Sequence, residues 1–311
     1  MSGMHPNTHL ARSFRERAAD VSRAYARAIL GEEDAVHELR VTTRRMRVAV
    51  NLLASHPRGK RARRVRKLLK RLAAAAGRSR DLDVGRPLLL KHRETLAVPG
   101  RSALVRAYRA ARTRARAAGS EALLDCEVAR LRRALRRLGA DGLVDPPTLA
   151  KRIAGLVGGE GEKVFAATHA LGPVTRSEDL HDLRRRIRRL RYASEWASTL
   201  PGRSEDVFRG WRALQNALGE VQDRRMLASW LDAFARDAAP RRRPEARTVA
   251  RHLAWALGTE ADRLQRELFA RVPETIVREG LDAMREPGPQ RETGGGVPFP
   301  KVHPAITLTS G

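Results

Sequence analysis

Val36-His37-Glu38-Leu39-Arg40-Val41-Thr42-Thr43-Arg44-Arg45-Met46-Arg47 is answered further along the chain by Leu180-His181-Asp182-Leu183-Arg184-Arg185-Arg186-Ile187-Arg188-Arg189-Leu190-Arg191. The two stretches stand 144 residues apart and align without a gap. His37 matches His181, and Arg40, Arg44, Arg45 and Arg47 match Arg184, Arg188, Arg189 and Arg191. A second pair follows in the same order at an offset of 142, Gly77-Arg78-Ser79-Arg80-Asp81 with Gly219-Glu220-Val221-Gln222-Asp223. Two motifs in one order at nearly one spacing mark an internal repeat.

Each stretch reads as a helix. At about 100° per residue, His37, Arg40, Arg44 and Arg47 fall on one stripe. Leu39, Met46, Val50 and Leu53 fall on the stripe beside it. His181, Arg184, Arg188 and Arg191 repeat this beside Leu183, Ile187 and Leu190. An ordinary solvated face sits opposite the apolar one. Here the cations border the core, and a row at i, i+3, i+7 and i+10 can track a chain of phosphates. Carboxylates are read as scarce around these rows, with no acidic partner one turn away.

The next helix extends the theme. Residues 58–71 hold nine basic side chains and no acid. Lys60, Arg63, Arg64, Lys67, Lys70 and Arg71 form one broad stripe, with Val65, Leu68, Leu69 and Leu72 opposite. In the second copy Arg209 and Arg212 stand where the first has Lys67 and Lys70. Such mutual repulsion costs stability unless an anion screens it.

Outward from these stretches the whole chain reads as helical. Ala, Leu, Arg and Glu dominate, all good helix formers, and no period-two run is found. Helices are predicted at about 8–30, 34–55 (with Asp34 as N-cap) and 59–76, where Gly77 stops the chain. Another begins near Asp81, and two more fill 101–138. Asp141-Gly142-Leu143-Val144-Asp145-Pro146-Pro147 reads as a boundary. Beyond it helices are predicted at 147–170, 177–199, 204–218, 221–237 and 245–271, with Gly158-Gly159 a candidate interruption. A short helix over 274–285 ends the folded part. The expected domains are therefore 1–145, 146–285, and a disordered Pro/Gly-rich tail at 286–311. Asp81 and Asp223 read as helix N-caps following a glycine. Trp196, Trp211, Trp230 and Trp255 sit at core spacing and read as packing.

Composition narrows the partner. The chain has 311 residues, 62 Lys or Arg against 35 Asp or Glu, and a formal net charge of +27. Residues 1–145 contribute +20 and residues 146–311 contribute +7. So large a field points to a polyanion. Arginine far outnumbers lysine, and its planar fork suits phosphate oxygens. Aromatics make up 4 % of the chain, too few for a platform on which single-stranded bases stack. One cysteine, Cys126, allows no intrachain disulfide and no cysteine metal cluster. The polar start, Met1 to Leu10, is not a secretory signal, no apolar run is long enough to span a bilayer, and the cytosol is the expected compartment.

Enzymatic motifs fail on inspection. His37-Glu38-Leu39-Arg40-Val41 is not HExxH, since Val41 replaces the second histidine. No glycine-rich phosphate loop is present. Glu160-Gly161-Glu162-Lys163 is one residue short of the ExExK signature of triphosphate tunnel enzymes. The expectation is a non-catalytic binder needing no cofactor and no metal. Nucleic acid on the same basic surface is the alternative, and nothing here matches a helix-turn-helix or zinc finger.

The paired H-x-x-R-x-x-x-R-R-[ML]-R motifs, each followed by G-x-x-x-D, resemble the CHAD family (conserved histidine α-helical domain) over about residues 8–285. The resemblance implies an all-α fold of two pseudo-symmetric four-helix bundles around a basic central cavity. It also implies binding of long-chain inorganic polyphosphate and association with polyphosphate granules. His37, Arg40, Arg44 and Arg47, with His181, Arg184, Arg188 and Arg191, would line the cavity. Lys67, Lys70, Arg209 and Arg212 would add to it, and Arg45, Arg189, Lys60, Arg63, Arg64 and Arg71 complete the candidate surface. The second G-x-x-x-D departs from the first in carrying Gln222 where Arg80 stands. With no triphosphate-tunnel pattern in these residues, the resemblance is not expected to supply an enzyme.

Overall fold

The computed structural model describes residues 6–91, 99–140, 142–170, 177–200, 207–237 and 244–271. Within them the chain is all-α. The helices are α1 (Pro6–Ile29), α2 (Glu33–Leu53), α3 (Lys60–Ala75), α4 (Gly77–Lys91), α5 (Arg101–Leu124), α6 (Val128–Ala140), α7 (Pro146–Ala170), α8 (Ser177–Ala197), α9 (Val207–Arg236) and α10 (Pro244–Arg271). One isolated antiparallel bridge, Ala54 to Leu143, is the β pairing among the described residues.

Helix packing follows the same order around α2 and around α8. α2 packs between α1 and α3, and α8 packs between α7 and α9. α2 and α8 then meet each other in the middle of the molecule. The apolar stripes predicted beside the arginines turn into the core. Leu39, Met46, Leu53, Leu183, Ile187 and Leu190 are all buried in one large core that reaches from Leu10 to Ala261. A smaller core joins α4 and α5 to α9 and α10 around Leu89, Leu104, Tyr108, Leu231 and Leu257. Asp83 is buried between them and holds Arg112 at 2.6 Å and Arg116 at 2.9 Å.

The start of α7 is tied to the end of α2. Asp145 Oδ1 accepts the Thr148 backbone N–H at 2.7 Å, which caps the start of α7. One turn on, Arg152 reaches back to the end of α2. Its Nη1 donates to the Leu52 and Ala54 carbonyls at 2.9 and 2.6 Å, and its Nη2 to the Ser55 carbonyl at 3.1 Å. A cation thus satisfies carbonyls that a helix end leaves without partners.

Several boundaries differ from the sequence reading. α9 is one helix through Gly219, not two, so Asp223 lies inside it and caps nothing. Asp81 likewise falls inside α4, which starts at Gly77 itself. A glycine in a helix interior costs only about 1 kcal/mol, which flanking packing overrides. Gly158-Gly159 leaves α7 unbroken for the same reason. α2 begins at Glu33 with Glu32 in the N-cap position and no side-chain cap, so Asp34 is within the first turn. Trp196 and Trp211 are buried as expected, but Trp255 is 68 % exposed on α10. Its position is helical, yet among the described residues its side chain lies on an exposed stripe of α10, beside His252. The predicted helix at 274–285 and the tail at 286–311 lie outside the described residues.

Candidate functional site

The site is built on α2 and α8. His37 and His181 stand exposed at the head of each row, and Arg40, Arg44, Arg47, Arg184, Arg188 and Arg191 are half-buried along the seam. Arg188 sits at the point of convergence. Its pKa is pushed down to about 10, first by burial and then by Arg44, Arg184 and Arg40, with Tyr192 opposing. Cations from both helices therefore share one low-dielectric region. Arg47 is lowered by burial and then by Arg189 of the other half and Arg66 of α3.

Each half gives its row the same foothold. A Cβ added at Gly77 would lie 2.6 Å from Arg40 Nη1, and one added at Gly219 would lie 3.3 Å from Arg184 Nη2. The glycine of each G-x-x-x-D is the notch through which the row's first arginine passes. Arg184 Nε and Arg191 Nε are buried donors with no acceptor among the described residues. Such donors are costly unless an acceptor arrives.

Carboxylates stand among the cations, correcting the reading that acids are scarce there. Glu195 accepts Arg45 Nη2 at 2.9 Å and Arg17 Nη1 at 3.0 Å, with Arg191 Nη2 at 3.7 Å. Glu160 of α7 pairs with Arg186 at 2.8 Å and with Arg189. Glu127 pairs with Arg130, and with Arg71 at 3.7 Å. Glu195 follows Arg191 by four residues, so that signal stood in the sequence; Glu160 and Glu127 come from other helices and left none.

The candidate residues divide among distinct places. Arg40, Arg44, Arg47, Arg184 and Arg188 form the converging rows. Arg45, Arg191 and Arg212 line a cleft of about 590 Å³ between α1, α2, α8 and α9, together with Glu16, Asp20 and Glu195. Lys60, Arg63, Arg64, Lys67 and Arg71 line a separate groove of about 420 Å³ between α3 and α6. Lys70 is exposed on the flank of α3 away from that groove. Arg209 lies outside the described side chains.

The histidines add a titratable edge. Burial first, then Arg188, Arg184 and Arg185, hold the His181 pKa below its ordinary value against the pull of Asp182. The imidazole is therefore neutral at pH 7, and a phosphate brought beside it would raise its pKa and draw in a proton. Among the described residues no group of three or more His, Cys, Asp or Glu could hold a metal ion. No described helix is long and apolar enough to cross a membrane. Cys126 is half-buried with its thiol raised by burial, and it donates to the Ala122 carbonyl. That is the setting of an inert thiol.

Two solved structures share this architecture. The CHAD domain from the plant Ricinus communis superposes with a TM-score of 0.63 at 19 % identity, covering 87 % of this chain and 89 % of that one. PptA from Streptomyces chartreusis superposes with a TM-score of 0.64 at 19 % identity, covering 85 % and 99 %. At that identity the likeness speaks for the fold. No curated protein matches the chain. The family model for the CHAD domain matches residues 12–232, a span that takes in both arginine rows and both glycine notches, and the chain belongs to the CHAD domain family.

Proposed function

We propose that the chain binds inorganic polyphosphate without catalysis, gripping it along the facing rows of α2 and α8. One observation carries this reading: Arg188 is half-buried among Arg44, Arg184 and Arg40, with burial and cation repulsion both acting on its charge. Guanidinium groups held this way lose hydration and gain repulsion, and both costs reverse when a linear polyanion enters. The unsatisfied Nε donors of Arg184 and Arg191 support the same ligand class. Polyphosphate is the form of that class that the family resemblance implies. In a cell the protein would sit in the cytoplasm at polyphosphate granules.

The test is retention of long-chain polyphosphate by the Arg44→Glu/Arg188→Glu double variant, with far-ultraviolet circular dichroism as the folding control. Each lost charge-assisted contact is worth about 1.5–3 kcal/mol, so affinity should fall by about a hundredfold or more. For the unaltered protein the logarithm of affinity should fall with the logarithm of salt by about 0.7 per phosphate neutralised. Unchanged retention in a folded double variant would overturn the assignment to this face. Displacement by duplex DNA at equal phosphate as effective as by polyphosphate would move the function to nucleic acid. Release of orthophosphate with Mg²⁺ or Mn²⁺ would make the protein an enzyme.

A further inference from the structure

We propose that the α3–α6 groove is a second polyanion-binding segment, and that one long polyphosphate chain runs from the α2–α8 rows into it across Arg66 and Arg63. This rests on the polyphosphate reading above and adds a second binding region to it.

The groove has two cationic walls. Lys60, Arg64, Lys67 and Arg71 recur on α3 at i, i+4, i+7 and i+11, a line of about 16 Å at the rise of a helix. Arg63 flanks that line, and Arg130 of α6 faces it from the opposite wall. All six are exposed, so the groove offers a track, not an enclosed pocket. Arg133 and Arg137 continue the Arg130 stripe along α6 at i+3 and i+7, also exposed.

Against these charges Glu127 is the carboxylate lining the groove among the described residues. Its hydrogen bond to Arg130, and then the charges of Arg130, Arg71 and Arg64, hold it below the usual carboxylate range. Being bonded to α6 and near α3, it ties the walls while leaving the groove strongly positive. Among the described residues no aromatic side chain lines the groove, so a base finds nothing there to stack on, and a bare phosphate chain is the better fit.

The join to the central rows is a relay of cations. Arg47 belongs to the α2 row, and α2 packs on α3, which carries Arg66, whose charge acts on Arg47. Arg66 and Arg63 are neighbours one turn apart on α3, and Arg63 lines the groove. Arg66 is held in place by its Nη1 donating to the Pro57 carbonyl at 2.6 Å. A polymer leaving the α2 row past Arg47 thus meets positive charge at each step into the groove. Binding at the second segment then becomes intramolecular, and affinity multiplies without any new kind of contact.

Calorimetry on the full chain with two probes tests this. Tripolyphosphate should bind at two sites per molecule, and long-chain polyphosphate should bind at least about tenfold more tightly than tripolyphosphate. Arg64→Glu/Lys67→Glu should reduce tripolyphosphate to one site and erase the long-chain advantage. Arg130→Glu, from the other wall, should lower long-chain affinity in the same direction. Two tripolyphosphate sites and an undiminished long-chain advantage in folded Arg64→Glu/Lys67→Glu would overturn the groove alone and leave the central reading standing. An unaltered protein that binds neither probe would overturn the polyphosphate reading itself.

Discussion

α2 and α8 carry the same row of cations, yet they are neutralised differently. Both rows pass an arginine over a glycine, Arg40 at Gly77 and Arg184 at Gly219. Beyond that the second half supplies its own counter-charge. Glu160 on α7 pairs with Arg189, and Glu195 on α8 takes Arg191 one turn back. In α2 the position matching Glu195 is Asn51, and Arg45 borrows Glu195 across the seam at 2.9 Å. The carboxylate that Arg45 and Arg191 share thus comes from α8. The net charges of +20 and +7 put the larger cationic excess in the first half. Glu195 ties the two rows together, and Arg188, where burial and cations from both helices converge, is where an external anion would act most strongly.

The sharpest way to break that comparison is at Arg188, where burial and three cations meet. Arg188→Gln removes the repulsion and one ligand contact together. Polyphosphate affinity should drop by about tenfold or more, the equivalent of one charge-assisted hydrogen bond. The melting temperature of the ligand-free protein should rise at the same time. Arg44→Gln should lower affinity with a smaller rise in melting temperature. Equal rises in the two variants would mean that the halves carry the strain alike.

Much of this arrangement was legible before any coordinates. The 144-residue repeat gave both helices and placed each cationic row beside its apolar stripe. Leu39, Met46, Leu183 and Ile187 are buried where the 3.6-residue period puts them. What periodicity could not give was partnership between distant helices. Nothing local to Arg189 announces Glu160, and nothing local to Arg45 announces Glu195. The glycines misled because they were read by propensity. Gly219 signals a helix end by composition, while its position is fixed by the guanidinium of Arg184 lying against it. The α3 stripe was correctly phased, but its phase alone could not tell that it opens toward α6.

Glu195 is the next place to press. It is a resident anion serving Arg17, Arg45 and Arg191, with 17 % of its side chain exposed. Glu195→Gln leaves those guanidiniums without their charge partner. The ligand-free protein should lose about 1–3 kcal/mol of stability, seen as a lower melting temperature. Saturating polyphosphate should restore more of that temperature in the variant than it adds to the unaltered protein, because the ligand replaces the missing charge. A variant that melts unchanged without ligand would show that Glu195 does not hold the seam.

The smallest expected effect comes from the two notches. Gly77→Ala puts a methyl 2.6 Å from Arg40 Nη1, so the guanidinium must leave its place in the row. Gly219→Ala puts one 3.3 Å from Arg184 Nη2, a contact that a shift of a few tenths of an ångström relieves. The second change also replaces glycine by alanine inside a continuous helix, worth up to about 1 kcal/mol. Gly219→Ala should therefore melt slightly higher and bind polyphosphate almost unchanged. Gly77→Ala should bind several-fold more weakly, because the first arginine of the α2 row has lost its aim. Titration of both variants with the same long-chain polyphosphate, beside their melting curves, reads the two effects separately. If Gly219→Ala proved the weaker binder, the grip would rest more on the first arginine of the α8 row than on that of α2.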